Sequence, residues 1–438
     1  MLIAPLFLAV CGWLPELDAD LAYLRQLAHE VVDSAKVDRG AEIAGAGRNI
    51  TGHALRVPGG TQNYYPAFWI RDAAMMLGAD LVPKDEVDGW IQVVAKTQPG
   101  PEDLNFPHGL HVPAYSVPDH ITLAGEACWY PGAYADQGVG HYGFLPPADD
   151  AFYFIQMVWD SVRLAGNADA MKSKIITGWG EQPLWVVCSK AFGSVEADPK
   201  TGLVLCSERA GEGRVDWGFC DSTTKTGSCL MPSLLRWQAA VRLSKLLSQA
   251  GMAKPARDLR TQSVLISKNL TSAFYRPLPN GEGFLVSATG LGRRDDLWAS
   301  AFAVWLGVLS PKIEKAVARH LASVVREGGS VIGGQVRHMP PTGEFGGYWE
   351  RASSGHDTYQ NGGFWATPTG WLTVAVAKVD RPAAAKLLGE YVSYVREHRS
   401  EGAPYEWINP NIGKVANGNY ASSAGLVYIA LRESGFYR

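Results

Sequence analysis

Several segments of this chain place carboxylates, amides and aromatic rings where side chains could do chemistry as well as fill a core. One is Pro404-Tyr405-Glu406-Trp407-Ile408-Asn409-Pro410-Asn411-Ile412-Gly413, followed by Asn419-Tyr420-Ala421-Ser422-Ser423-Ala424. Glu406 lies between Tyr405 and Trp407, and Asn409-Pro410 with Gly413 forms a turn that would direct its side chain. It reads either as a carboxylate on the rim of a site or as an acid capping a surface turn. A second segment, Arg214-Val215-Asp216-Trp217-Gly218-Phe219-Cys220-Asp221-Ser222-Thr223, sets two carboxyls among apolar neighbours. Burial beside Trp217, Phe219 and Cys220 would raise the pKa of either, which a proton donor near neutral pH requires. Asp221 before Ser-Thr would equally serve as a helix N-cap.

Three further segments could line the same rim. In Trp69-Ile70-Arg71-Asp72, an adjacent Arg and Asp can form a rigid donor-and-acceptor fork for vicinal hydroxyls, or can cap a helix. Asp149-Asp150 could bind hydroxyls, but acids at a helix start also complement its dipole. In His356-Asp357-Thr358-Tyr359-Gln360-Asn361-Gly362-Gly363-Phe364-Trp365, the paired glycines allow close backbone approach to a ligand. Gln360 supplies an amide, and Tyr359 and Trp365 supply rings.

The elements that must position these residues are mostly helices. Apolar residues at three-to-four spacing predict helices over 18–37, 71–81, 86–96, 149–164, 229–250, 253–274, 295–309, 311–326, 363–379, 382–398 and 420–434. Stretches 202–206, 283–288 and 330–337 alternate like strands but are too short and scattered for a large parallel sheet. No low-complexity linker divides the chain, and no repeat of fixed period appears. About a dozen helices separated by Gly/Pro-rich loops suggest concentric helical layers, an all-α (α/α)6 toroid with short β segments in its loops.

The loops carry a resemblance. Glu-x-x-Asn-Pro-x-x-Gly at 406–413, then an aromatic residue and Ser-Ala before the final helix, resembles the general-base segment of the six-hairpin glycosidases. Family 63 glucosidases, trehalases, invertase-like enzymes and debranching glucosidase domains are similar. The resemblance implies that Glu406 activates water and that Asp221 donates the proton, with Asp216 in reserve. It implies that Trp69, Arg71 and Asp72 hold the −1 sugar. The 356–365 loop resembles the Tyr-x-Asn-Gly-Gly-x-Trp loop of the invertase-like and debranching relatives; Tyr359, Gln360 and Trp365, with Asp149, Asp150, Trp217 and Trp407 on the same rim, are the further candidate sugar contacts. Where the family usually places Trp before the serine of the last motif, this chain has Ser422. The expected reaction is inverting hydrolysis of terminal, α-linked glucose-like sugars, with two carboxyls on opposite faces of the ring. Two rivals remain: a toroid that binds carbohydrate without catalysis, and a phosphorylase, which would lack a base such as Glu406.

Composition is consistent with this and excludes other classes. Among 438 residues, 40 Lys and Arg against 43 Asp and Glu give a net charge of −3, so no basic field exists to hold a nucleic acid. Fifteen Trp and 17 Tyr suit stacking on sugar faces. The six cysteines form no C-x-x-C pair, and buried free thiols are expected. His108, His111, His120 and His141 lack the i, i+4 spacing of a helical metal site, so neither a metal nor another cofactor is expected. The apolar stretch 1–14 resembles the core of an export signal, although no Lys or Arg precedes it and no A-x-A site follows. We read residues 1–17 as either an export signal or a buried N-terminal apolar segment, with periplasmic or secreted location favoured over cytoplasmic, and 18–438 as one catalytic domain. No later apolar run approaches membrane-spanning length.

Overall fold

The computed structural model describes residues 15–59, 65–106, 109–129, 145–206, 215–342 and 344–436. The apolar stretch 1–14, His108 and His141 lie outside the described residues. Twelve α-helices occur among them: α1 (Pro15–Ser34), α2 (Ile70–Met75), α3 (Lys84–Thr97), α4 (Asp150–Ala165), α5 (Leu184–Ser194), α6 (Leu230–Gln249), α7 (Ala253–Phe274), α8 (Leu297–Leu306), α9 (Pro311–Glu327), α10 (Thr369–Ala377), α11 (Arg381–Glu397) and α12 (Ala421–Ser434).

Their packing alternates. The even-numbered helices touch in the order α2, α4, α6, α8, α10, α12, and α12 returns to α2 to close an inner ring. The odd-numbered helices lie outside: α1 packs on α11 and α12, α3 on α4, α5 on α4 and α6, α7 on α6, α9 on α8 and α10, and α11 on α10. This is an (α/α)6 toroid.

The sequence explains which helix goes where. A helix apolar on all sides must be covered on all sides, whereas one apolar stripe suits a surface position. All of α2 and residues 369–376 of α10 are buried. In outer α7 the buried residues Leu259, Ser263, Ile266, Leu270 and Phe274 recur every three or four positions. Fully burying such aliphatic and aromatic side chains contributes about 1.5–3 kcal/mol each. Gly166, Gly307 and Gly435 end α4, α8 and α12 in the left-handed conformation that stops a helix.

Some boundaries differ from the periodicity. Helix α5 carries no regular polar stripe in LWVVCSKAFGS, so its period is hidden. The pattern over 363–379 begins as a strand, Phe364–Trp365, and becomes helical only at Thr369, after Thr367-Pro368. Proline disfavours helical backbone at the residue before it. No described helix is long and apolar enough to cross a membrane. Cys128, Cys188, Cys206, Cys220 and Cys229 are free thiols.

The short strands organise the loops that enter the inner helices. An antiparallel five-stranded sheet runs Val331–Ile332, Gln335–Val336, Phe364–Trp365, Trp407–Asn409, Lys414–Ala416, pairing Trp365 with Trp407. A three-stranded sheet pairs Phe68–Trp69 with His120–Ile121, and that strand with Ala127–Cys128.

The inner ring is tightest where α10 meets α12. A Cβ added at Gly370 would lie 2.8 Å from the Cβ of Ala430 and from the Val427 carbonyl oxygen. Gly370→Val should therefore force the two helices apart and lower stability by about 1–3 kcal/mol. A thermal melt tests this, and an unchanged Tm would show that the ring yields without loss.

Candidate active site

The candidate residues gather where the inner helices begin. Asp72 sits in the first turn of α2, Asp149 and Asp150 open α4, and the 215–225 loop precedes α6. The 356–365 loop precedes α10, and Glu406 lies on the approach to α12. Helix N-termini carry partial positive charge, so this rim favours carboxylates.

Arg71 anchors one side of it. The side chain is 2% exposed; its Nε donates to Asp149 Oδ2 at 2.7 Å and its Nη2 to Asp119 Oδ1 at 3.1 Å. Asp150 Oδ1 lies 3.6 Å from Nη2, yet neither Asp150 oxygen has a hydrogen-bond partner. Burial, and then the neighbouring Asp149 charge, push the Asp150 carboxyl well above the usual range, against the Arg71 charge. Burial also acts to deprotonate Arg71, but Asp149, Asp150 and Asp119 outweigh it. His120 Nδ1 donates to Asp119 Oδ2 at 2.8 Å; burial lowers its pKa, but Asp119 and Cys128 prevail and raise it to about 9. Its ring stacks on Trp69 at 4.1 Å. Trp69 Nε1 is buried and has no partner.

Glu406 has two other carboxyls near it, Asp72 and Asp221. It is 2% exposed, accepts a short hydrogen bond from Asn417 Nδ2, and receives the Tyr65 hydroxyl at 3.4 Å. Burial raises its pKa to about 8, with Asn417 opposing and the nearby Asp72 and Asp221 charges adding to the rise. Asp72 Oδ1 accepts from Tyr420 and Ser422 hydroxyls, both at 2.9 Å. Burial raises Asp72 to about 6 against Arg71 and those two donors. Asp221 is partly exposed, and its Oδ1 accepts from Gln360 Nε2 at 2.6 Å. Gln360 in turn accepts from the backbone N–H and the hydroxyl of Ser222, so the amide clamps Asp221 to its own loop.

Beneath that loop lies a closed polar network. Lys225 Nζ donates to Asp216 Oδ2 at 2.9 Å, both side chains being 1% exposed, while Asp216 Oδ1 accepts from the Trp217 N–H. His338 pairs with Asp296 at 3.1 Å and with Cys220 at 3.2 Å, and its ring stacks on Trp298 at 4.1 Å. The backbone at Gly218 sits directly on Arg71: an added Cβ would fall 1.6 Å from the guanidinium carbon.

These placements sort the expected residues. Asp72, Asp221 and Glu406 come together, with Trp69 on the Arg71 side. Asp216 is enclosed in its pair with Lys225 instead of facing Glu406. Trp217 and Trp365 are fully buried, their N–H groups donating to Tyr153 Oη at 2.9 Å and to the Tyr359 carbonyl at 3.1 Å. They support the rim from below and offer no stacking wall. Asp149 braces Arg71, Asp150 lies sealed beside it, and Gln360 holds Asp221. Trp407 and Tyr359 are only partly buried, and Trp407 packs over the backbone of Gly363. Sequence reasoning missed Asp119 and Asn417. Each follows a chain reversal with no periodic signal, and only strand pairing brings them in. No group of three or more His, Cys, Asp or Glu suited to a metal ion occurs among the described residues.

No family model and no curated protein matches the chain in sequence. Solved structures do match in fold. A protein described as a wild-type glycosidase superposes with a TM-score of 0.56 at 15% identity, over 97% of this chain and 99% of that one. The GH63 mannosylglycerate hydrolase from Thermus thermophilus, in complex with glucose, gives 0.53 at 15% identity over 93% and 99%. The glucoamylase of Hormoconis resinae gives 0.55 at 15% identity over 96% of this chain and 73% of that one. The twelve helices and their two rings thus have the (α/α)6 fold of the six-hairpin glycosidases.

Proposed function

We propose that the protein is an inverting glycoside hydrolase acting on terminal, α-linked glucose-like sugars. The observation that supports this best is the grouping of the Asp72, Asp221 and Glu406 carboxyls, with the last two on separate loops that each enter a different inner helix. The glucose held by a structural neighbour supports the choice of sugar. Asp221 donates its proton to the glycosidic oxygen as the bond to the anomeric carbon breaks. Glu406 takes a proton from a water that attacks that carbon from the opposite face. One carboxyl ends ionised and the other protonated, and exchange with solvent resets both. Gln360 and Ser222 hold the donor in place. Asp72, with only Oδ1 engaged by the protein, accepts sugar hydroxyls on Oδ2. Arg71 keeps Asp72 and the head of α4 in register, and its Nη1, which has no partner among the described residues, reaches toward the same sugar.

Stereochemistry is the direct test. Proton NMR of a hydrolysing α-glucoside should show β-product first, before mutarotation. Initial α-product would replace inversion with a retaining route, and sugar bound but never released would leave a binding protein.

Glu406→Gln should lower kcat by ~10²–10⁴-fold, the usual contribution of a positioned base. As a base Glu406 must be ionised, so kcat/KM of the wild type should rise with pH along a limb displaced above the ordinary glutamate value, toward about 8. The sign for stability is opposite. A carboxyl raised on folding stabilises fully below its unfolded pKa, and that stability is lost as pH rises through the folded value. Glu406→Gln should therefore melt no lower than wild type at pH 9, whereas an acid that merely capped a turn would lose both less activity and more Tm.

Arg71→Lys keeps the charge but not the planar fork. It should lose ~2–4 kcal/mol of transition-state stabilisation in kcat/KM, and it should also melt lower, because three buried aspartates face this group. Lowered Tm with normal turnover in the folded fraction would confine Arg71 to the scaffold.

A further inference from the structure

The axis of the toroid also opens at the other end, toward which the inner helices run. A narrow shaft there reaches inward to Tyr153 and Trp371, passing Trp159, Gln238 and Arg242. Its volume of about 30 Å³ is room for little more than water. It widens outward into an open chamber of about 290 Å³, where Trp237 and Trp305 stand with Gln238, Arg242 and Glu433. That volume is close to the lower end of ordinary small-molecule pockets. None of these residues enters the reaction proposed above.

Two polar groups here are unmet. Arg242 Nη1 and Trp371 Nε1 are buried without a hydrogen-bond partner. Gln238, 9% exposed, lines both the shaft and the chamber beside Arg242. Buried donors are ordinarily paired, so Arg242 Nη1 and Trp371 Nε1, unmet among the described residues, point to occupants of the cavity: water in the shaft at Trp371 and a polar ligand in the chamber at Arg242. The surroundings select its chemistry. An apolar ligand would leave the amide and guanidinium unmatched. An anion would meet the Asp160 and Glu433 charges that act on Arg242, and a cation would meet Arg242 itself and Lys245, which lies 5.2 Å over the Trp159 ring. A neutral polyol suits every group: its C–H faces cover indole rings while its hydroxyls both donate and accept.

We infer that this far mouth is a second saccharide-binding site, taking one neutral sugar unit on Trp237 and Trp305 with Gln238 and Arg242 as polar contacts. It stands on the cavity itself and does not require hydrolysis at Glu406. Saturation-transfer NMR with D-glucose, D-mannose and maltose, on the full chain, tests it. Trp237→Ala and Gln238→Ala should each weaken a saturable signal at least tenfold while leaving Tm within a few degrees and turnover unchanged. Asp72→Asn, at the opposite end, should retain that signal. Binding that survives both far-mouth variants, or no binding of any of the three sugars outside the Asp72 pocket, overturns the inference. If hydrolysis is absent but the Trp237-dependent signal remains, the far site stands and the hydrolase reading falls.

Discussion

A guanidinium with 2% exposure needs carboxylates around it, because an unpaired buried charge is strongly destabilising, and Arg71 meets that requirement from three directions. Asp119 comes from the turn before the His120–Ile121 strand, and Asp149 and Asp150 come from the head of α4. The backbone of Gly218 then lies flat on the guanidinium and donates to Asp149 at 3.1 Å. One cation thereby sets the relative positions of α2, α4, a β segment and the loop that carries Asp221. Its geometry leaves no room for a side chain at 218, so the glycine is required by close approach rather than by an unusual φ.

The carboxylates of the rim are arranged at an energetic disadvantage that the toroid must offset. Burial raises Asp72 to about 6 and Glu406 to about 8, and it pushes Asp150 well above the usual carboxyl range. Helix N-termini, hydroxyls and the Asn417 amide recover part of that disadvantage. A site assembled from mutually repelling acids is less stable than an apolar plug of equal size, a common feature of sites whose strain serves a reaction. The two closely packed helical rings supply the stability that such a site consumes.

Behind the rim, a second set of polar pairs performs structural work. The Lys225–Asp216 ion pair and the His338–Asp296 hydrogen bond lie closed under the 215–225 loop, surrounded by Trp298, Trp349 and Trp365. Such pairs are valued less for net stability than for the specific arrangement they impose when one partner cannot leave the other. They fix the backbone from which Asp221 projects, and Gln360 fixes the carboxyl.

Much of the architecture was legible in the chain. About a dozen helical periods separated by Gly/Pro-rich loops point to concentric helical layers, although outer α5 hides its period in an almost wholly apolar run. The loop motifs at Trp69–Asp72, 216–223, 356–365 and 404–424 marked which end would carry polar chemistry. Local pattern could not say which way a polar side chain turns. Asp221 and Asp216 share the same apolar neighbours in sequence, yet Lys225, nine positions away from Asp216, captures one of them. Gln360 reads as a ligand-binding amide until Asp221, 139 residues earlier, is seen to occupy it. Asp119 belongs to the site because the strand after it pairs with the distant Phe68–Trp69, and Asn417 because the 407–416 hairpin folds back beside Glu406. Periodicity and turn chemistry are written in neighbours along the chain, and they determined the helices and the rim; the partner of each buried charge is chosen by the nearest opposite group in space, which only the closed toroid decides.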